Sequence, residues 1–173
     1  NTPIPQKRDV TLFIILLLSI MLETTRLKLV PLKHEQLILY KNNPQALAEY
    51  LNIRYLERQH DPATVPDHEE AIGFWIKNTK EHRDHFEWFT NWEIILKEEN
   101  VAVGGIGFAG LPSKEGTTMT GYGLDIRYHG RGIASEALQA IDRWAFKNEN
   151  LKAIVADTPL LNFPSQRVLQ KNG

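Results

Sequence analysis

The chain has 173 residues, 42% of them hydrophobic and 24% charged, with a formal net charge of −1 and no cysteine. That length carries one domain with a substantial core and is too short for two comfortable ones. A near-neutral charge without a basic run excludes the concentrated positive field that nucleic-acid binding requires. The lack of Cys excludes disulfides, Cys-ligated zinc, thiolate catalysis and acyl-cysteine intermediates together, and it fits a cytoplasmic enzyme.

Residues 10–22 (VTLFIILLLSIML) form an apolar run behind Lys7 and Arg8, the order of charged and hydrophobic regions found in secretory signals. At about thirteen residues the run is shorter than the roughly 20 that span a bilayer, and no small-residue cleavage pattern follows it. Residues 1–20 are therefore read as a non-native or mis-assigned leader, and Met21 as the natural start of the domain. The competing reading makes this run a membrane attachment.

The first strand is expected around residues 27–32. Helical spacing follows from His34 to Leu51, with a break and a fresh start at Asn43-Pro44. Residues 61–66 read as a polar, proline-bounded loop. Asp67 then reads as an N-cap, with Glu70 three residues on, of a helix ending near Lys80. A β-rich half comes next, with strands over 92–97, 101–109 and 118–126. Gly104, Gly105 and Gly107 within the second of these imply a bulge or a close backbone approach. A glycine turn at 130–132 leads into a helix over 133–147, on which Ile133, Ala137, Leu138, Ile141, Trp144 and Ala145 trace one face. A further strand at 152–158 and a short helix at 164–171 complete an α/β arrangement with a mixed sheet.

The informative unit is strand, glycine turn, helix, spanning residues 121–138 (GYGLDIRYHGRGIASEAL). Glycines at 130 and 132 let the backbone turn tightly and let a ligand approach the main chain. Free N–H groups at the helix start and the helix dipole favour an anion such as pyrophosphate, and Arg131 can add a charge. The spacing lacks both the G-x-G-x-x-G of dinucleotide sites and the G-x-x-x-x-G-K-[ST] of NTPases. On residues alone, an ordinary glycine-rich connection competes evenly with anion binding.

His129-Gly130-Arg131-Gly132-Ile133-Ala134 resembles the [Q/R]-x-x-G-x-[G/A] motif of the GNAT superfamily of N-acetyltransferases. Residues 162–173 (NFPSQRVLQKNG) resemble the ending N-x-x-S-x-x-[VL]-[LA]-x-K-x-G of its ribosomal-protein N-terminal acetyltransferase branch, and residues 22–27 (LETTRL) resemble the opening of that branch. The resemblance covers residues 21–173. It implies a GNAT-like mixed, mostly antiparallel sheet flanked by helices, in a single domain that is C-terminally incomplete because the family continues with two more strands. It also implies acetyl-CoA as co-substrate, a primary amine as acceptor (a protein or peptide N-terminus or a small molecule), and direct attack in a ternary complex. The main chain of Leu124 and Ile126 would pair with the pantetheine arm, and amides from His129 to Ala134 (His129, Gly130, Arg131, Gly132, Ile133, Ala134) would hold the pyrophosphate. Asn162 would bond the pantetheine, and Ser165 would lie near the thioester sulfur. His129 stands where the family has Gln or Arg. The tyrosine that many relatives use as general acid has no counterpart at 162–165, which makes Ser165 the substitute.

A base is expected for the amine, and Glu93, on an otherwise apolar strand, is the candidate; an exposed strand-face carboxylate is the competing reading. Asp125 reads first as a turn residue and Tyr122 first as packing. His82 and His85 are spaced for one helix face, but no third ligand stands at a recognisable spacing, so no metal is expected. Trp88, Phe89 and Trp92 are candidates for an acceptor pocket, and Trp75 and Trp144 for the core. Neither nucleic acid nor membrane is expected as a partner, and a homodimer is left open. The rival in another class is an acyl-CoA-binding regulatory module of the same fold without turnover.

Overall fold

The computed structural model describes residues 21–158 and 162–172; the leader at 1–20 and the terminal Gly173 of the second motif lie outside them. The described residues build a six-stranded sheet in the order β1 (Leu22–Glu23), β2 (Leu27–Pro31), β3 (Asn91–Leu96), β4 (Val101–Phe108), β5 (Thr117–Leu124) and β6 (Ala153–Val155). Neighbours are antiparallel from β1 to β5, and β6 runs parallel to β5. Helices α1 (His34–Asn42), α2 (Pro44–Tyr50) and α3 (Val65–Glu81) lie between β2 and β3 in the chain. Helix α4 (Ile133–Ala145) connects β5 to β6, and α5 (Phe163–Asn172) follows β6.

The main core lies between one sheet face and α4. Strand residues Leu27, Leu29, Trp92, Ile94, Leu96, Val101, Val103, Ile106 and Phe108 meet Ile133, Ala137, Leu138, Ile141 and Ala145 there. Along β4 the inward residues step by two from 101 to 103 and from 106 to 108, but by three between 103 and 106. A strand alternates faces with period two, so one extra residue must be absorbed. The pairing with β3 shows it as a register shift between Ile94 and Ile95, opposite Gly104 and Ala102. The glycines of β4 thus mark a bulge. Beyond it, Gly105 and Gly107 stand on the face opposite the core.

Asn43 both ends α1 and caps α2, its side chain accepting the Ala46 N–H at 3.0 Å. The expected cap at Asp67 is corrected. Helix α3 begins two residues earlier, at Val65, with Pro66 in its first turn, and Asp67 lies inside that turn. Asp61 instead caps a short 3-10 turn (Pro62–Thr64) that leads into the helix. Both prolines occupy early helical positions, where a missing N–H costs nothing, so the proline-bounded loop is already helical. A second 3-10 segment (Arg83–Trp88) follows α3; its backbone leaves helical geometry at His85, and His82 lies outside it, stacked on Phe89 at 4.2 Å. The two histidines therefore do not share a helix face. Trp88 and Trp92 are core rather than pocket residues, each with its ring centroid 4.9 Å from that of Trp144. Among the described residues, no helix is long and apolar enough to cross a membrane.

Asp142 on α4 is a polar misfit. Among the described residues its Oδ1 is buried without a hydrogen-bond partner, and burial pushes its carboxyl up to about 6. A carboxyl bound more tightly to its proton in the folded than in the unfolded chain loses stability as pH rises between the two values. Asp142→Asn is therefore expected to stabilise the protein by about 1 kcal/mol above pH 6, after discounting for solvent screening. The gain should fade as pH falls below about 4. Denaturant midpoints of both proteins across pH 3.5–8 check this.

Candidate functional site

Strand β5 is held on one side along its length and on the other only at its start. Its pairing with β6 comprises Thr117 with Ala153, Thr118 with Ile154 and Met119 with Val155; beyond these the two strands part. Alternate residues of an antiparallel strand direct their N–H and C=O groups to opposite neighbours. Met119 C=O accepts from Ala109 N–H, and Asp125 N–H donates to Val103 C=O. The odd-numbered residues thus serve β4, and Tyr122 and Leu124 turn their main-chain groups toward the gap. The strand ends at Leu124, two residues before the expected Ile126. Ile126 opens a 3-10 turn (Ile126–Tyr128), its N–H donating to Gln59 C=O at 3.0 Å. The open edge therefore consists of Tyr122 and Leu124 rather than Leu124 and Ile126. His129 closes over its end, with Nε2 3.1 Å from Leu124 C=O.

Asp125 builds the corner. Its carboxylate accepts from Arg127 Nε (2.9 Å) and Nη2 (2.6 Å), from Arg127 N–H and from Gln59 N–H. The Arg127 bonds, ahead of these backbone N–H groups, hold it far below the usual carboxylate range despite burial. It is a structural turn residue, 0% exposed. Gly130 and Gly132 then adopt φ of 72° and 74°, values that L side chains resist. The first helical hydrogen bond of α4 runs from Glu136 N–H to Gly132 C=O. The amides of Ile133, Ala134 and Ser135 thus precede the ladder, at the positive end of a thirteen-residue helix. Arg131 is already engaged, 3.7 Å from Glu99 and 5.0 Å over the Tyr128 ring. Arg26, directly before β2, braces the turn, donating from Nη1 to Arg131 C=O at 2.9 Å while Nε pairs with Glu136 at 2.6 Å.

On the core face of the gap, α5 brings up Asn162 and Ser165. Asn162 Oδ1 accepts the Ser165 N–H at 3.1 Å and so caps the helix. Ser165 Oγ lies 2.8 Å from the hydroxyl of Tyr122. Tyr122, expected to pack, is therefore also a polar partner across the gap.

The other face of the sheet is of a different kind. Glu93, Gly105 and Gly123 stand in one register row across β3, β4 and β5. Asn91, Gly107 and Gly121 share their face. A side chain at Gly121 or Gly123 would meet open space, whereas one at Gly105 would collide with the Asn91 amide. The result is a bare glycine floor over β5 with two polar side chains beside it. Glu93 is not an exposed strand-face carboxylate: it is 2% exposed, ion-paired with Arg58 and bonded to Asn91 Nδ2 at 2.6 Å. Arg58 also donates to Tyr40 of α1 (3.3 Å), whose hydroxyl meets His68 of α3 at 3.1 Å. Through this chain the α1–α3 layer is fastened over the polar face. Arg58 and Asn91 escaped the sequence reading because Arg58 lies in an aperiodic stretch and Asn91 pairs with Glu93 through chain geometry. Phe89 lies against Gly110 near the same end of β4.

A buried pair loses more when one partner is removed than when both are replaced. Arg58→Met, which strands the Glu93 carboxylate, is expected to cost about 3–5 kcal/mol. Arg58→Met combined with Glu93→Leu should cost well below the sum of the single changes. Urea unfolding of the four proteins checks this; strict additivity would show that the pair carries no coupling.

Comparison with known proteins is consistent with this geometry. The acetyltransferase (GNAT) domain matches residues 26–173. An uncharacterized N-acetyltransferase of Bacillus subtilis (strain 168), YnaD, is 33% identical over 129 residues, 75% of this chain and 71% of that protein. A second from the same organism, YjdG, is 29% identical over 131 residues, 65% of this chain and 78% of its own. In fold, the chain is similar to RimL, a ribosomal L7/L12 alpha-N-protein acetyltransferase solved in complex with coenzyme A, with a TM-score of 0.61 at 20% identity over 88% of this chain and 82% of that one. It is likewise similar to the ribosomal-protein-S5-alanine acetyltransferase of Vibrio fischeri, with a TM-score of 0.59 at 21% identity, covering 88% and 81%. The open edge of β5, the glycine turn and the matched domain lead to one assignment: the chain belongs to the GNAT family of acetyltransferases.

Proposed function

We propose that the protein transfers the acetyl group of acetyl-CoA to a primary amine by direct attack within a ternary complex. The observation that carries this is the parting of β5 from β6 directly before a glycine turn and a helix N-terminus. An extended amide-bearing arm fits the open edge at Tyr122 and Leu124, and its pyrophosphate fits the amides between His129 and Ala134. Asn162 and Ser165 flank the arm from the core face. No acyl-enzyme is needed, in keeping with a chain that has no cysteine.

The two faces of β5 divide the chemistry. The amine approaches over the bare floor of Gly121 and Gly123, and the departing sulfur lies toward Ser165. Glu93 is separated from β5 by one strand, about 10 Å, so it accepts the amine's proton through water. Its pairing with Arg58 and its bond to Asn91 fix the orientation of the Glu93 carboxyl beside the glycine floor. The acceptor is an α-amine of a peptide or protein or a small-molecule amine, and the place of action is cytoplasmic.

The test is direct. A hundredfold excess of CoA over its Kd should add about 2.7 kcal/mol of stability, read as a rise in Tm. Acetyl-CoA with a panel of amines, including peptides with N-terminal alanine and serine, should release free thiol. Stabilisation without thiol release from any amine would favour an acyl-CoA-binding module, and the absence of both effects would overturn the cofactor reading.

A further inference from the structure

The hydroxyl next to the sulfur needs a source for its proton. Ser165 is the side chain that the proposed function places beside the thioester sulfur, and any proton path through its hydroxyl rests on that placement. An alkyl hydroxyl is far less acidic than a thiol, so Ser165 alone would have to become an alkoxide to protonate the departing thiolate. A phenol differs: at about 10 it stands within two units of a thiol at about 8.5. The structure supplies one. Tyr122 Oη is 2.8 Å from Ser165 Oγ and 3.2 Å from Ser165 C=O, and the two residues come from elements on opposite sides of the gap, β5 and α5.

We infer that Tyr122 is the proton source of the leaving group, acting through Ser165 as a positioning and relay residue. The relay uses the arrangement in which Tyr122 turns its hydrogen from Ser165 C=O (3.2 Å) to Ser165 Oγ (2.8 Å), which leaves the Ser165 hydroxyl hydrogen to the sulfur. When the C–S bond breaks, its electron pair goes to sulfur. Sulfur takes the Ser165 hydroxyl proton, and Ser165 takes the phenolic proton of Tyr122. The phenolate then recovers a proton from water, while the proton lost by the amine goes to water through the Glu93 face. The sum is amine plus acetyl-CoA giving amide plus free CoA thiol, with no other reactant. Burial pushes the Tyr122 phenol up, with the Ser165 bond partly opposing it, so the hydroxyl keeps its proton until the thiolate forms. The same bond fixes the Ser165 rotamer, because Asn162 holds the adjacent Ser165 N–H and the hydroxyl has Tyr122 as its partner.

The test compares Tyr122→Phe, Ser165→Ala and the double variant in the full chain, with CoA as the binding probe and thiol release as the rate. Tyr122→Phe keeps the ring and its packing. It should lower kcat about 10²-fold, the size of a general-acid contribution, while the Kd for CoA and the Tm stay close to wild type. The double variant should be no slower than the slower single one, because both changes cut the same relay. A Tyr122→Phe enzyme within about twofold of wild-type kcat would overturn the inference, since the loss of a general acid is far larger. So would losses that multiply in the double variant, or a parallel loss of CoA affinity and kcat, which would mark Tyr122 as structural. A wild-type protein that binds CoA but acetylates no amine fails at the earlier step and removes the acetyl-transfer function itself, the relay with it.

Discussion

The parting of β5 from β6 is the constraint on which the site depends. Three residue pairs join the strands, and beyond them the main chain of Tyr122 and Leu124 faces a gap. Peptide groups of a strand that no neighbouring strand pairs are a template for another extended chain. Here the template is only two residues long and ends at a corner that Asp125 fixes with bonds to Arg127 and Gln59. It can therefore seat a short amide-bearing arm without exposing a long edge. The turn that follows adds amides at the start of α4, so one short stretch of chain provides both strand-like and anion-binding groups.

The sheet separates two environments around that gap. Its core face holds aromatic and aliphatic residues, with Tyr122 and Ser165 at the margin. Its other face has glycines where side chains would block approach, beside a buried carboxylate whose charge is balanced by Arg58. Burying that pair costs solvation that the mutual attraction only offsets, and apolar replacements of such pairs are often neutral. Its retention next to the bare floor is consistent with a proton-accepting role. Such a role is compatible with holding the α1–α3 layer through Tyr40 and His68, because both uses need the same fixed orientation of Arg58.

The short segment at 56–60 shows how a stretch without regular structure organises the site. Gln59 binds Asp125 and Ile126 through its main chain, Arg127 reaches Glu57 C=O at 2.8 Å, and the Arg58 side chain turns to Glu93. Consecutive residues thus brace the corner of the cofactor turn and the buried carboxylate. Nothing in local spacing announces this. An aperiodic stretch between two helices reads as a connection, and its value lies in what the fold brings to its two sides.

Local rules were sufficient for much of the molecule. The helical period of 133–145, the Asn43-Pro44 break and the glycine turn follow from spacing and backbone freedom, properties carried within a few residues. The bulge in β4 was legible for the same reason, because its glycines interrupt a period-two pattern. The start of α3 departs from the capping pattern at Asp67, because Pro62 and Pro66 occupy early helical positions ahead of it. Trp88 and Trp92 offered no local sign that they join Trp144 in the core rather than line a pocket. Sequence by itself determined the order of strands and helices from β2 onward and the motif at the head of α4, because these depend on short-range periodicity and on φ values that only glycine readily adopts; it did not determine the two-residue β1 (Leu22–Glu23). Tertiary structure alone decided that Glu93 is buried against Arg58, that Ile126 leaves the strand edge, and that Tyr122 meets Ser165. Those contacts join residues 35, 67 and 43 positions apart in the chain, and only the closing of the sheet brings them within hydrogen-bonding reach.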